Sequence, residues 1–165
     1  MSSLKVCDYV TVYAKGNSRD ADGVYHFDIP NTYYTNQRSQ VCTVEVTNGM
    51  VYSVTTETKA CILQYMNGGI NHYATGNLRP IIGNAQKFTA GSMRITPTGR
   101  LLCNARPNHI SLKLLDLVFS GTPAELQLPT VTATNLNFVL TLKYSYYDSI
   151  ETARELQREK TPHMM

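Results

Sequence analysis

An all-β sandwich of eight to nine antiparallel strands, wound as a single jelly roll, is the fold the sequence predicts. Three observations lead there. Apolar and polar residues alternate with period two along most of the chain, turn residues punctuate the runs, and no helical period separates one run from the next. Without crossover helices a parallel βαβ sheet is excluded, and a two-sheet sandwich or a closed barrel remains. The 165 residues suit one domain. Composition agrees: 42% hydrophobic but only 16% charged, with Thr, Asn and Tyr in place of Lys and Glu. That profile fits pleated sheet and excludes disorder, coiled coil or a helix bundle.

The elements follow in order. Val6–Tyr13 alternates with Val10 and Val12 on one face and Tyr9, Thr11 and Tyr13 on the other. Val24–Ile29 is a second strand, stopped by Pro30. Val41–Thr47 turns Cys42, Val44 and Val46 inward, with Thr43 and Glu45 outward. Asn48-Gly49 follows and Met50–Thr56 resumes the alternation, so a type I′ hairpin is expected at Asn48-Gly49. Ala60–Met66, Leu78–Ile82 and Gln86–Thr89 are further short strands. Ser92–Thr96 and Arg100–Asn104 read as a hairpin about Pro97-Thr98-Gly99. His109–Val118 places Ile110, Leu112 and Leu114 on one side. Leu136–Tyr146 is the clearest strand, with Leu136, Phe138, Leu140, Leu142, Tyr144 and Tyr146 facing one way. Long loops near 14–23, 30–40, 67–77 and 119–134 are what connections between two sheets need, although an immunoglobulin-like strand order also satisfies the pattern.

Residues 1–147 are therefore read as the sandwich domain and 148–165 as a helical arm. Asp148 and Glu151 have capping-box spacing, and a helix over Ile150–Lys160 is halted by Pro162. Its apolar residues are few, so such a helix is marginal alone and needs a partner. Ile150, Ala153, Arg154 and Leu156, with Tyr146 and Tyr147 at the end of the last strand, are the candidate assembly contacts.

Charge is unevenly spread. From Thr58 to Leu115 there is no Asp or Glu. Lys59, Arg79, Lys87, Arg94, Arg100 and Arg106, all in that stretch, make a candidate basic face for an acidic partner or a genome. No apolar run reaches the length of a membrane span, and the N-terminus lacks a signal-peptide hydrophobic region. Cys7, Cys42, Cys61 and Cys103 form no CxxC pair and read as buried reduced thiols.

No catalytic constellation emerges. His26, His72, His109 and His163 lack metal-ligand spacing, and the paired histidines of a cupin-type enzyme are absent. Asp20-Ala21-Asp22-Gly23 reads as a turn rather than a calcium loop. No phosphate loop, nucleophile elbow or Cys-His signature is present. The chain is expected to be no enzyme and to need no cofactor. Tyr33, Tyr34 and Tyr73 leave open a sugar- or receptor-binding module.

Two C-terminal segments carry a resemblance. His109-Ile110-Ser111-Leu112-Lys113-Leu114-Leu115-Asp116 and Leu136-Asn137-Phe138-Val139-Leu140-Thr141-Leu142-Lys143-Tyr144 resemble the closing strands of single jelly-roll capsid proteins of large DNA viruses, virophages and Polinton-like viruses. The resemblance covers about a quarter of the chain, in patterns shared with strands generally. It implies a structural virion protein, a penton or minor capsid component, that is a homo-oligomer contacting other capsid proteins. It implies synthesis in host cytoplasm and residence in the virion. It brings no catalytic residue.

Overall fold

Alternation alone is enough to extend the chain wherever one face is apolar, and the strands fall on those runs except for a short pair, Val118–Ser120 with Glu125–Gln127, formed where a long loop near 119–134 was expected. The computed structural model describes residues 4–15, 18–29, 41–52, 60–67, 80–89, 91–103, 108–120, 122, 125–127 and 137–147. In chain order the strands are β1 (Leu4–Lys15), β2 (Val24–Asp28), β3 (Val41–Tyr52), β4 (Ala60–Tyr65), β5 (Ile81–Thr89) and β6 (Ser92–Pro97). Then come β7 (Leu101–Cys103), β8 (His109–Asp116), β9 (Val118–Ser120), β10 (Glu125–Gln127) and β11 (Asn137–Tyr147). The main sheet runs β1-β11-β3-β6-β5-β4-β8-β2, with β7 also on β3, and β9 and β10 form a separate pair. Every described pairing is antiparallel.

That order is a jelly roll. Setting aside the short β7, β9 and β10, the first strand pairs with the last, the second with the next to last, the third with β6 and the fourth with β5. One long hairpin is thereby folded over itself into two layers, β1-β11-β3-β6 and β2-β8-β4-β5, joined through β5 and β6. The immunoglobulin-like order is excluded.

The core lies between the layers. Phe138 on β11 meets Tyr25 of β2 edge-on at 4.9 Å and Phe27 at 6.2 Å. Tyr65 of β4 and Tyr144 of β11 join their hydroxyls at 2.8 Å, so two large buried side chains bring a polar handle inside without leaving it unpaired. Val10, Val12, Cys42, Val44, Val46, Leu112, Leu114, Leu140 and Leu142 complete this interior. Each fully buried aliphatic side chain contributes about 1.5–3 kcal/mol. Thr43, expected outward, is also buried, as is Ser145 on the face of β11 opposite Tyr144 and Tyr146 in the alternation.

Three expectations are corrected. Asn48-Gly49 is not a hairpin turn, because β3 runs straight through it. Asn48 pairs with Thr141 and Val46 with Leu142, so Thr47 is the extra residue of a bulge. The bulge reverses the phase: even-numbered residues are buried before it, Gly49 and Val51 after it. Glycine is needed there for space. A Cβ at position 49 would lie 2.9 Å from side-chain carbons of both Ile95 and Leu140.

The Pro97-Thr98-Gly99 hairpin is likewise absent. β6 and β7 both pair antiparallel with β3, opposite Met50–Tyr52 and Cys42–Val44, and therefore run in the same direction. Thr98 continues toward β5 instead, donating its amide to Ile82 O at 3.2 Å and its hydroxyl to Ile81 O at 3.0 Å. Last, Ile82 and Gln86–Thr89 belong to one strand, β5. Gly83 within it admits Ile95 of β6, whose Cγ2 would lie 2.9 Å from a Cβ there.

Candidate functional site

The outer surface of β1-β11-β3-β6 is made by the residues that alternate with the core. On β1, Tyr9 and Tyr13 are 59% and 56% exposed, and beyond the bulge on β3, Tyr52 is 43% exposed. These are three of the four most exposed large hydrophobic residues among the described ones. Between them lie neutral polar groups: Thr11 and Thr141 share a 2.9 Å hydrogen bond across β1 and β11. Lys143 holds its ammonium 5.9 Å from the centre of the Tyr9 ring, within reach of a cation–π contact.

Where β6 peels away from β3 the face is indented. An open hollow of about 690 Å³ is lined by Met50, Tyr52, Arg94, Thr96, Pro97 and Val139 among others. A smaller one of about 370 Å³ adjoins it at Thr47 and Pro97 and reaches Tyr9 and Lys143. Arg100 donates from Nε to Glu45 Oε2 at 3.1 Å, with the two side chains only 11% and 14% exposed. This ion pair ties the residue before β7 to β3, beside the smaller hollow that Glu45 lines.

The second layer carries a polar cluster. The β2–β8 register sets His26 opposite Ser111 and Asp28 opposite His109. His26 Nε2 is 2.7 Å from Asp20 Oδ2, and its Nδ1 is 3.0 Å from both His109 Nε2 and Ser111 Oγ. His109 Nδ1 is 2.8 Å from Asp28 Oδ1. Asn67, after β4, donates to His109 O at 2.7 Å and accepts from the Ser111 amide at 2.8 Å. The hydrogen bond from His26, then that from the Val24 amide, holds the Asp20 carboxyl below its usual range.

Ser111, His26 and Asp20 have the connectivity of a hydrolase triad. However, His26 Nδ1 is shared with His109, and neither hollow is lined by these residues. Among the described residues no group of three or more His, Cys, Asp or Glu is arranged to hold a metal ion.

Of the residues singled out by sequence, Arg94 is exposed beside the larger hollow, while Arg100 is engaged by Glu45. Lys87 has its backbone in β5, but its side chain is outside the described set. Lys59, Arg79 and Arg106 lie outside the described residues, as do Tyr33, Tyr34, Tyr73 and the whole 148–165 arm with Ile150, Ala153, Arg154 and Leu156. Tyr147 ends β11 and its side chain is not described. Tyr146 is 1% exposed within the core, so it packs its own domain.

All four thiols are free. Cys42 lies opposite Cys103 on β3 and β7, and that neighbour together with burial pushes its thiol far up. Burial, then Asp116, does the same to Cys61. Such thiols stay protonated and pack as small hydrophobes. No helix among the described residues is long and apolar enough to cross a membrane. No family model matches the chain, and no curated protein matches it either.

Proposed function

We propose that this chain is a structural virion protein, a penton or minor capsid component, acting through contacts between copies of itself and with other capsid proteins. The observation that carries the reading is the outer face of β1-β11-β3-β6, where Tyr9, Tyr13 and Tyr52 stand exposed among threonines. Isolated domains ordinarily cover such a face with Lys and Glu, whereas tyrosine is enriched where proteins meet. Four strands about 4.8 Å apart and about ten residues long present roughly 600 Å² per copy. Two self-complementary copies bury about twice that, enough for a specific contact. The jelly-roll order and the resemblance of β8 and β11 to capsid closing strands support the same role, and the virion is the place it implies.

The test is the mass of the protein in solution, measured beside a Tyr9→Ser/Tyr13→Ser/Tyr52→Ser variant. The expected result is a closed oligomer for the parent and a folded monomer for the variant. A parent that stays monomeric at high micromolar concentration overturns the reading. So does hydrolysis of p-nitrophenyl acetate that disappears in Ser111→Ala, which would make the His26 cluster catalytic.

One observation favours a second reading, a non-enzymatic sugar- or receptor-binding module. The larger hollow combines Tyr52 with Arg94, Thr96 and Asn48, an aromatic surface beside hydrogen-bonding groups. Saturable glycan binding that is lost in Tyr52→Ala, with the parent monomeric, would select it.

A further inference from the structure

The cluster on β2 and β8 has a proton count that its geometry fixes. His26 Nε2 and His109 Nδ1 each face a carboxylate oxygen, Asp20 at 2.7 Å and Asp28 at 2.8 Å, so each of these nitrogens carries a hydrogen. The two remaining nitrogens, His26 Nδ1 and His109 Nε2, then face each other at 3.0 Å. With both rings neutral, two lone pairs meet there. With both rings charged, two N–H groups meet. One shared proton turns the contact into a hydrogen bond.

The ring centroids are 5.1 Å apart, as edge-to-edge approach through these nitrogens requires. Ser111 Oγ is also 3.0 Å from His26 Nδ1. A hydrogen on His26 Nδ1 is accepted by both His109 Nε2 and Ser111 Oγ, which satisfies every group in the cluster.

We propose that His26 and His109 bind a single proton between them, and that this proton latches strand β2 to β8. The position gives the latch leverage. Among the described strands, β2 ends the order, is five residues long and pairs with β8 alone. Asp20 belongs to the turn that leads into β2 and also takes the amides of Asp22 and Val24 at 2.9 Å.

Among the described residues, the charged groups on the elements that carry the pair are Asp20, Asp22 and Arg19 on that turn, Asp28 on β2, and Lys113 and Asp116 on β8. Lys113 lies opposite Val24, two positions along from Ser111. Asn67 and Ser111, which also hydrogen-bond within the cluster, are neutral. The contact between the rings is a hydrogen bond only while the pair holds one proton, so the latch opens when that proton leaves or a second arrives.

The experiment is ¹⁵N-histidine NMR on the full chain from pH 4.5 to 9 with EDTA present, together with amide exchange of β2 corrected for intrinsic rates. The expected result is two separated proton-uptake steps for the pair. Between them, both nitrogens of His26 are protonated and Nε2 of His109 is bare. Protection of β2 should fall about tenfold on each side of that window while β11 is unchanged.

His109→Gln should collapse the two steps into one for His26. Asp28→Asn, which keeps both rings, should narrow their separation and serves if the first variant misfolds. Simultaneous uptake by both rings, β2 protection that ignores pH, or a spectrum that depends on EDTA each overturns the proposal; the last would assign the gap to a metal ion.

Discussion

The two layers of the jelly roll share one interior and differ in how they are held. β1, β3 and β11 are twelve, twelve and eleven residues long and pair along nearly their whole length. Across the core, β2 has five residues and β8 eight. The long layer exposes tyrosine and threonine, while the short one exposes a hydrogen-bonded set of histidine, aspartate, serine and asparagine. Length supplies cooperative pairing, and a long strand needs little from its outer side chains, leaving that face free to meet a neighbour. A short edge strand has few ladder bonds and depends on side chains to stay in place.

The comparison breaks first at Phe138, the long layer's grip on the short one. Phe138→Ala removes the ring that Tyr25 and Phe27 pack against and should cost about 3–5 kcal/mol in denaturant unfolding. Amide exchange should show β2 losing protection before β11. Loss of both layers together would mean that they open as one unit.

Gly49→Ala is next and acts within the long layer. Its methyl group would press on Cδ1 of Ile95 and of Leu140, and on the less yielding Cβ of Ile95 at 3.2 Å. About 1–3 kcal/mol of destabilisation is expected from overpacking. A neutral or stabilising result would show that β3 and β6 can separate further at the split, and that the hollow beside them is soft.

How much of this was legible follows from where the information sits. Faces were legible because alternation is local: Phe138, Leu140, Leu142, Tyr144 and Tyr146 are all buried, and Tyr9 and Tyr13 stand outside. Asn48-Gly49 misled because a bulge and a hairpin leave the same trace, two alternating runs separated by permissive residues. Only the partner strand, with Leu142 opposite Val46 and Thr141 opposite Asn48, tells them apart. The pairing of His26 with His109 spans 83 residues and depends on the β2–β8 register, which no local pattern encodes. The meeting of Cys42 and Cys103 depends in the same way on β7 joining β3.

The hydroxyl bridge between layers is a finer probe than Phe138. Tyr65→Phe leaves the Tyr144 hydroxyl buried without its partner and should cost about 1–2 kcal/mol. Tyr144→Phe should do the same in reverse. Removing both should cost less than the two single changes together, since neither group is then stranded. Strict additivity would show that the 2.8 Å contact contributes nothing to holding the layers together.

The smallest effects separate the turn before β2 from the end of β8 through two carboxyl groups displaced in opposite directions. Asp20 is held below its ordinary value chiefly by the His26 hydrogen bond. It therefore stabilises the fold above the unfolded carboxylate value of about 3.9, and that contribution is lost as pH falls through its lower, folded value. Asp116 is raised, chiefly by burial and despite the hydrogen bond it accepts from Cys61. Its ionised form therefore weakens the fold near neutrality, and the penalty disappears as pH falls and the group protonates. Asp20→Asn should flatten the acid limb of a stability–pH curve. Asp116→Asn should raise the plateau near pH 7 and leave the acid end unchanged. Parallel shifts from both substitutions would show that the carboxylate at the β2 turn is no better held than the one at the end of β8. The side-chain support claimed for the short layer would then fail at the turn that leads into β2.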